Sequence, residues 1–210
     1  MEPQSHKIIR GFLSEEERNK VLEWVESLDH PDGDANCHLS ELSRRLKGKS
    51  FIFNQSKTEL TDYITKFQSV QEVSVDTPPD FILDIQHRIA NTIGLPTDNI
   101  FIQAVDMQSG GHIGTHYDAS LRGYINYKCN LSVLSDDYKF YVDKDVLDIS
   151  EGDLYAFEAS LYRHRTDEFN SRRVFLSFGF VVPYSATGRD ENDPRVRLAH
   201  RIERYFQSFV

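Results

Sequence analysis

Residues 154–182 read LYAFEASLYRHRTDEFNSRRVFLSFGFVV, and this stretch decides how the rest of the chain is read. Leu154–Glu158 and Arg173–Val182 are runs of β-branched and aromatic residues, the composition of strands. The polar, turn-prone stretch between them carries one histidine, His164. Runs of the same texture come before it at Asn99–Met107, Tyr124–Leu134, Tyr138–Val142 and Val146–Ile149, separated by Gly, Asp and Ser. Six or more short strands at that spacing predict a sandwich or barrel.

The flanks read as helix. Ser14 and Glu17 have capping-box spacing, and Val21, Leu22, Val25 and Leu28 follow as one apolar stripe that stops near His30-Pro31-Asp32-Gly33. Pro78-Pro79-Asp80 starts a second helix with Ile82, Ile85, Ile89 and Ile93 on one face, and Gly94 ends it. Asp193-Pro194 opens a last helix whose expected apolar face is Leu198, Ile202, Tyr205, Phe206 and Phe209. Residues 34–75 are polar and weakly patterned, with a short helix expected at Leu39–Leu46 and an extended piece at Ser50–Asn54.

Composition bounds the function. The 210 residues carry 24 Lys+Arg against 33 Asp+Glu, a net charge of -9, which argues against a generally basic nucleic-acid binder. A 39% hydrophobic content rules out a disordered chain, and no apolar run approaches the roughly 20 residues of a membrane helix. Two cysteines, Cys37 and Cys129, make neither a disulfide framework nor a four-thiolate zinc site. These features point to a cytoplasmic globular protein with no membrane association.

Eight histidines carry the search for chemistry. His116-Tyr117-Asp118 places an imidazole and a carboxylate on one face of an extended segment. His164 lies beyond the turn Glu151-Gly152-Asp153 and the strand after it. One His-x-Asp pair with a distant His is the inventory of the two-His-one-carboxylate facial triad, which leaves three positions of an octahedral Fe(II) open. His30-Pro31-Asp32 fits the same pattern but is better explained as a helix end. His112, four before His116, has zinc-helix spacing, but Gly110, Gly111 and Gly114 oppose a helix there and make it a loop residue.

Nine residues after His164 comes Arg173. With Arg173 inward, Phe175, Ser177 and Gly179 share its face, and a buried arginine fork suits a carboxylate. The alternative is that Arg172 and Arg173 are surface charges at the strand end.

From Phe101 to Pro183 the chain resembles the catalytic core of Fe(II)- and 2-oxoglutarate-dependent dioxygenases, through HYD (116–118), EGDLYAFEASLYRH (151–164) and RRVFLSFGF (172–180). It looks most like the AlkB-type branch. IIRGFLSEEE (8–17) is similar to the usual entry to these domains, and PPDFILDIQHRIANTIG (78–94) to the helix leading into the core. The resemblance implies an α+β fold around a double-stranded β-helix, or jelly roll, in a single domain spanning 1–210. Residues 1–98 would be helical support and lid, 99–183 the jelly-roll core, and 184–210 the C-terminal helix. It implies that His116, Asp118 and His164 bind iron, and that Arg173 holds the distal carboxylate of 2-oxoglutarate with Arg172 as fallback.

Several positions depart from the AlkB-type repair pattern. Val105-Asp106-Met107 stands where those enzymes have Asn-x-Tyr, Phe175 replaces a cosubstrate-binding Asn, and Gly179 replaces a second Arg. Ser177, Asn130, Ser132, Tyr124 and Tyr127 are the candidates to complete the pocket. The short step from His164 to Arg173 is closer to prolyl-hydroxylase-type enzymes of the same superfamily.

The implied reaction uses Fe(II), 2-oxoglutarate and O2 to oxidise a substrate C–H, with succinate and CO2 as coproducts. Related halogenases leave the carboxylate position open for chloride, so Asp118 favours hydroxylation or another oxidation. The departures and the negative charge favour a small-molecule substrate over a nucleic acid to be demethylated or a protein side chain to be hydroxylated. The basic cluster Arg44, Arg45, Lys47 and Lys49 reads as a solvated face before it reads as a phosphate site. A jelly-roll binding module without turnover is the non-enzyme alternative, and the intact set of His116, Asp118, His164 and Arg173 argues against it.

Overall fold

A computed structural model describes residues 5–28, 48–54, 77–119, 121–136 and 138–207, with the side chains of 48, 49, 54 and 203–207 excepted. In chain order the elements are β1 (His6–Ile9), α1 (Glu15–Ser27), β2 (Gly48–Asn54), α2 (Asp80–Ile93), β3 (Ile100–Met107), β4 (Tyr124–Leu134), β5 (Tyr138–Val142), β6 (Asp145–Ile149), β7 (Leu154–Glu158), β8 (His164–Thr166), β9 (Arg173–Pro183) and α3 (Pro194–Gln207). The strands make a six-stranded sheet in the order β1-β7-β4-β9-β3-β2 and a three-stranded sheet in the order β6-β5-β8. This is an α+β jelly roll.

One face of the large sheet is apolar and carries helices. Leu176 of β9 pairs with Ala104 of β3 and Leu131 of β4, so all three point the same way. They join Val21 and Val25 of α1 and Ile82, Ile85 and Ile89 of α2 in one buried cluster. Burying each such side chain contributes about 1.5–3 kcal/mol. Ser14 accepts from the Glu17 amide and Glu17 accepts from the Ser14 amide, the expected capping box on α1. Gly94 ends α2 at φ 82°, a left-handed conformation glycine adopts without strain.

The other face of the large sheet looks toward the small sheet and is unusually polar. Arg173, Phe175, Ser177 and Gly179 of β9 stand opposite Met107, Val105, Gln103 and Phe101 of β3. On the far side of β9, Phe175, Ser177 and Gly179 meet Ser132, Asn130 and Lys128 of β4. Nearly all of these are buried.

Residues ahead of 99 supply strands as well as helices. β1 pairs with β7, and β2 extends the sheet beyond β3. The extended piece expected at Ser50–Asn54 is part of β2. Leu39–Leu46, His30-Pro31-Asp32 and the side chains of the basic cluster at 44–49 lie outside the described residues.

Of the face expected for α3, the described side chains are Leu198 and Ile202, and two residues outside it are buried more deeply. Val196 and Ala199 are buried, whereas Leu198 and Ile202 are half-buried. Phe209 and the side chains of Tyr205 and Phe206 lie outside the described residues. Arginines anchor the start of the helix. Arg195 stacks on Tyr162 and pairs with Asp143 at 2.8 Å, while buried Arg189 pairs with buried Glu158 and with Asp193. No helix among the described residues is long and apolar enough to cross a membrane.

Candidate metal and anion site

The segment before Asp118 runs alongside β8 and is hydrogen-bonded to it. Thr166 N donates to Ile113 O, and His116 and His164 exchange both backbone hydrogen bonds, at 3.1 and 3.0 Å. Direct pairing makes the two imidazoles neighbours, with ring centroids 4.1 Å apart. Asp118 N donates to Ala159 O, which brings the carboxylate under both rings.

Three ligand atoms then converge. Asp118 Oδ1 lies 3.2 Å from His116 Nε2 and 3.4 Å from His164 Nε2. Donors about 2.1 Å from one ion at right angles would stand about 3.0 Å apart. Each Nδ1 faces a backbone carbonyl, Gly114 O at 2.8 Å and Tyr162 O at 3.1 Å. A carbonyl only accepts, so Nδ1 carries the proton and the Nε2 lone pair is aimed at Asp118. Two lone pairs and an anionic oxygen repel at this range unless a cation lies between them. The donor set fits a divalent metal.

The charges of the site act on one another. Burial works against a cation on His116, but the Asp118 carboxylate and the Gly114 carbonyl outweigh it and raise its pKa. Burial lowers His164, and His116 beside it adds to the effect. Burial alone would raise Asp118, yet the Lys128 ammonium and the two imidazoles hold its carboxyl well below the usual range. Asp118 Oδ2 accepts from Asn126 Nδ2 at 3.2 Å and faces Lys128 Nζ at 3.7 Å.

Arg173 occupies the other end of the cavity-facing row and is fully buried. Its guanidinium is ringed by Tyr138 at 3.9 Å, Phe175 at 4.4 Å and Phe169 at 4.6 Å. One nitrogen donates to the Tyr138 hydroxyl at 2.5 Å and the Tyr155 hydroxyl at 2.9 Å. Nε and Nη1 have no partner among the described residues. No carboxylate pairs with this buried cation among the described residues, although burial of a charge is expensive without an anion. Those two nitrogens are open donors of the geometry a carboxylate accepts. Burial pushes the Tyr138 hydroxyl well above its ordinary pKa despite Arg173, so it stays protonated.

Among the pocket candidates, Asn130 and Ser177 are register partners on the cavity face, and Asn130 Oδ1 is buried without a partner. Ser132 shares that face. Tyr127 pairs with Phe180 and points to the helix side, and Tyr124 sits at the far end of β4 opposite Pro183. Arg172 is turned away from the cavity: its guanidinium holds Asp106 at 2.9 Å and Glu26 at 2.7 Å. Strand alternation decides between the two neighbouring arginines. His112 is not among the converging ligand atoms.

Sequence reasoning missed Tyr138, Tyr155, Asn126 and Lys128. Tyr138 comes from the small sheet and Tyr155 from β7, so their approach to Arg173 depends on how the sheets face each other. The aromatic composition of both strands was visible; the convergence was not.

A prolyl 4-hydroxylase from Pseudomonas putida superposes with a TM-score of 0.56 at 12% identity, covering 85% of this chain and 93% of that one. The fold is that of the prolyl hydroxylases. A viral collagen prolyl hydroxylase from Paramecium bursaria Chlorella virus-1, solved with 2-oxoglutarate, matches at 0.51 and 12% identity over 85% and 96%. A Trichoplax adhaerens prolyl hydroxylase in complex with a hypoxia-inducible-factor peptide matches at 0.54 and 14% identity over 88% and 86%. No protein-family model matches the chain, and no curated protein matches it in sequence. All three solved structures are prolyl hydroxylases, and none of them is an AlkB-type enzyme.

Proposed function

We propose that this single-domain chain is an Fe(II)- and 2-oxoglutarate-dependent oxygenase that hydroxylates or otherwise oxidises a C–H bond of a small molecule. The observation that carries the reading is Arg173, a buried cation with two unpaired nitrogens on the cavity face that also receives the triad. His116, Asp118 and His164 hold the metal. Arg173, supported by the Tyr138 and Tyr155 hydroxyls, holds the distal carboxylate of 2-oxoglutarate, and Ser177 and Asn130 line the span between. When bound, the metal and the oxoacid split O2 between succinate and product, release CO2 and convert a substrate C–H to C–OH. The chain supplies orientation and exclusion of water. Phe140 and Phe157 pack on the His164 ring at 6.0 and 4.8 Å, and the aromatic ring around Arg173 seals the other end. A cytosolic setting fits the buried free thiol of Cys129.

Hydroxylation of a peptide is the second reading, favoured by neighbours that are prolyl hydroxylases, one of them with a bound peptide. The test has two stages. Anaerobic addition of Fe(II) and 2-oxoglutarate should give a weak visible charge-transfer band, and succinate should form in air. Absence of both refutes the oxygenase reading. Succinate release is then compared among metabolites including free proline, proline-containing peptides and methylated oligonucleotides. Stimulation by peptides alone selects the second reading, and stimulation by oligonucleotides alone overturns both.

A further inference from the structure

Residues 158–162 form the turn that carries the chain from β7 toward β8, and the metal ligands hang on its backbone. Ala159 O accepts from the Asp118 amide at 3.0 Å, and Tyr162 O faces His164 Nδ1 at 3.1 Å. Ser160 exchanges hydrogen bonds with the backbone of Asn126: its Oγ accepts at 2.7 Å and its amide donates at 3.3 Å. Asn126 in turn binds Asp118 Oδ2. Two of the three ligands, and a side chain that orients one of them, thus take their positions from one turn. His116 joins through its backbone pairing with His164.

The turn is held by two arginines that follow β9. Leu161 and Tyr162 both donate their amides to Glu158 O, at 2.9 and 3.1 Å, which makes Glu158 and Tyr162 the two ends of a tight loop. One guanidinium reaches both ends. Arg189 Nε donates to Glu158 Oε1 at 2.8 Å, and Nη2 donates to the Tyr162 hydroxyl at 2.7 Å. Its third nitrogen takes Asp193 at 2.6 Å, the residue that caps α3. Arg195 adds a donor to Leu161 O at 3.3 Å and lies 3.9 Å over the Tyr162 ring. Glu158 and Arg189 are both buried. A buried ion pair adds little stability over apolar side chains of the same size, but a planar fork on a carboxylate fixes direction and distance. Such a clamp suits a turn whose carbonyls must stay aimed.

We propose that Arg189 is a positioning residue for the metal centre: by tying Glu158 to Tyr162 it holds the turn whose carbonyls orient Asp118 and His164. The segment after β9 then sets metal affinity and coordination geometry from outside the jelly roll. The inference rests on the assignment of His116, Asp118 and His164 as metal ligands.

The experiment uses the full chain, with calorimetric titration of Mn(II) for affinity and the visible bands of bound Co(II) for coordination geometry. The double variant Glu158→Met/Arg189→Met replaces the ion pair with unbranched apolar side chains, an exchange that buried pairs often tolerate. It should melt cooperatively and bind Mn(II) about 10–100-fold more weakly, the loss that outer hydrogen-bond partners typically carry. At Co(II) saturation its bands should be displaced from those of the wild type, a change that lower stability alone does not cause in folded protein. A folded double variant with wild-type affinity and bands overturns the inference. If it does not fold, Tyr162→Phe decides, since it removes only the hydroxyl that Arg189 holds. Mn(II) binding weaker by about twofold to tenfold, the range one hydrogen bond commands, supports the inference, and wild-type affinity overturns it. Arg18→Met breaks the partly buried pair with Glu151 ahead of β7 and serves as control. An equal loss of affinity there marks general loosening and overturns the inference. A wild type that binds neither Mn(II) nor Co(II) refutes the metal assignment itself, and this inference with it.

Discussion

Replacing Arg173 with methionine should separate its proposed role in holding a carboxylate from its place in the core, because the two have opposite signs. Arg173 is fully buried, and hydroxyls and ring faces are its surroundings in the ligand-free protein. Breaking a buried ion pair ordinarily costs about 3–5 kcal/mol because a charge is left behind. Here the charge that lacks an anion is the one removed. The lost hydrogen bonds to Tyr138 and Tyr155 and the lost ring contacts are offset by relief of desolvation. The Mn(II)-loaded variant should therefore melt within a few degrees of the wild type.

Its response to 2-oxoglutarate should collapse. The two free nitrogens offer charge-assisted hydrogen bonds worth about 1.5–3 kcal/mol each. Losing both weakens binding by at least about a hundredfold. At a concentration of 100 Kd, 2-oxoglutarate stabilises the wild type by about 2.7 kcal/mol. For a domain of this size that raises Tm by about 5–11 °C. The same concentration sits near or below the variant's Kd and contributes at most about 0.4 kcal/mol, a shift of about 1 °C. Thermal melts of both proteins with and without 2-oxoglutarate read these quantities directly. A variant that keeps the full ligand-induced shift, or one that melts more than about 10 °C lower without ligand, refutes the assignment.

Three further outcomes are expected. His164→Ala should weaken Mn(II) binding by more than the roughly 10–100-fold typical of losing an outer hydrogen-bond partner, measured by titration. Glu158→Gln should destabilise the protein by about 1.5–3 kcal/mol in chemical denaturation, since it removes one of the two carboxylates that hold Arg189, which is 3% exposed against a Glu158 that is 2% exposed, and leaves Asp193 as the other. Asp193 caps α3 through the Arg195 amide at 2.7 Å. Burial opposes its charge, but Arg189 and the helix amides outweigh it and lower its pKa below 3.8. A depressed carboxyl contributes stability that is full above its unfolded pKa and lost as pH falls through the folded value. The stability gap between wild type and Asp193→Asn should thus be constant at neutral pH and shrink below about pH 4. A gap that widens in acid contradicts the assigned ion pair.

Much of the fold is legible in the chain because strand and helix periods are local. Tyr124–Leu134, Tyr138–Val142 and Leu154–Glu158 have the bounds that their composition predicts, and the Ser14 and Gly94 signals delimit α1 and α2. The triad was legible too, since a His-x-Asp pair on an extended segment puts two ligands on one face whatever surrounds it. β1 and β8, four and three residues long, are too short to show a period and are defined only by the partners they pair with.

Tertiary structure decided which face of each strand does chemistry. In an ordinary half-exposed sheet the polar face looks to water. On β4 the polar set Asn126, Lys128, Asn130 and Ser132 is buried, because that face meets Asp118 and the small sheet in place of solvent. β9 is buried on both faces, so its sequence has no alternation from which to choose Arg173 over Arg172. Tyr138, Tyr155 and Lys128 reach their partners only through register and sheet-to-sheet packing. Those relations join residues far apart in the chain. A local pattern of residues records that a strand forms, and the packing of one sheet on another determines what its side chains meet.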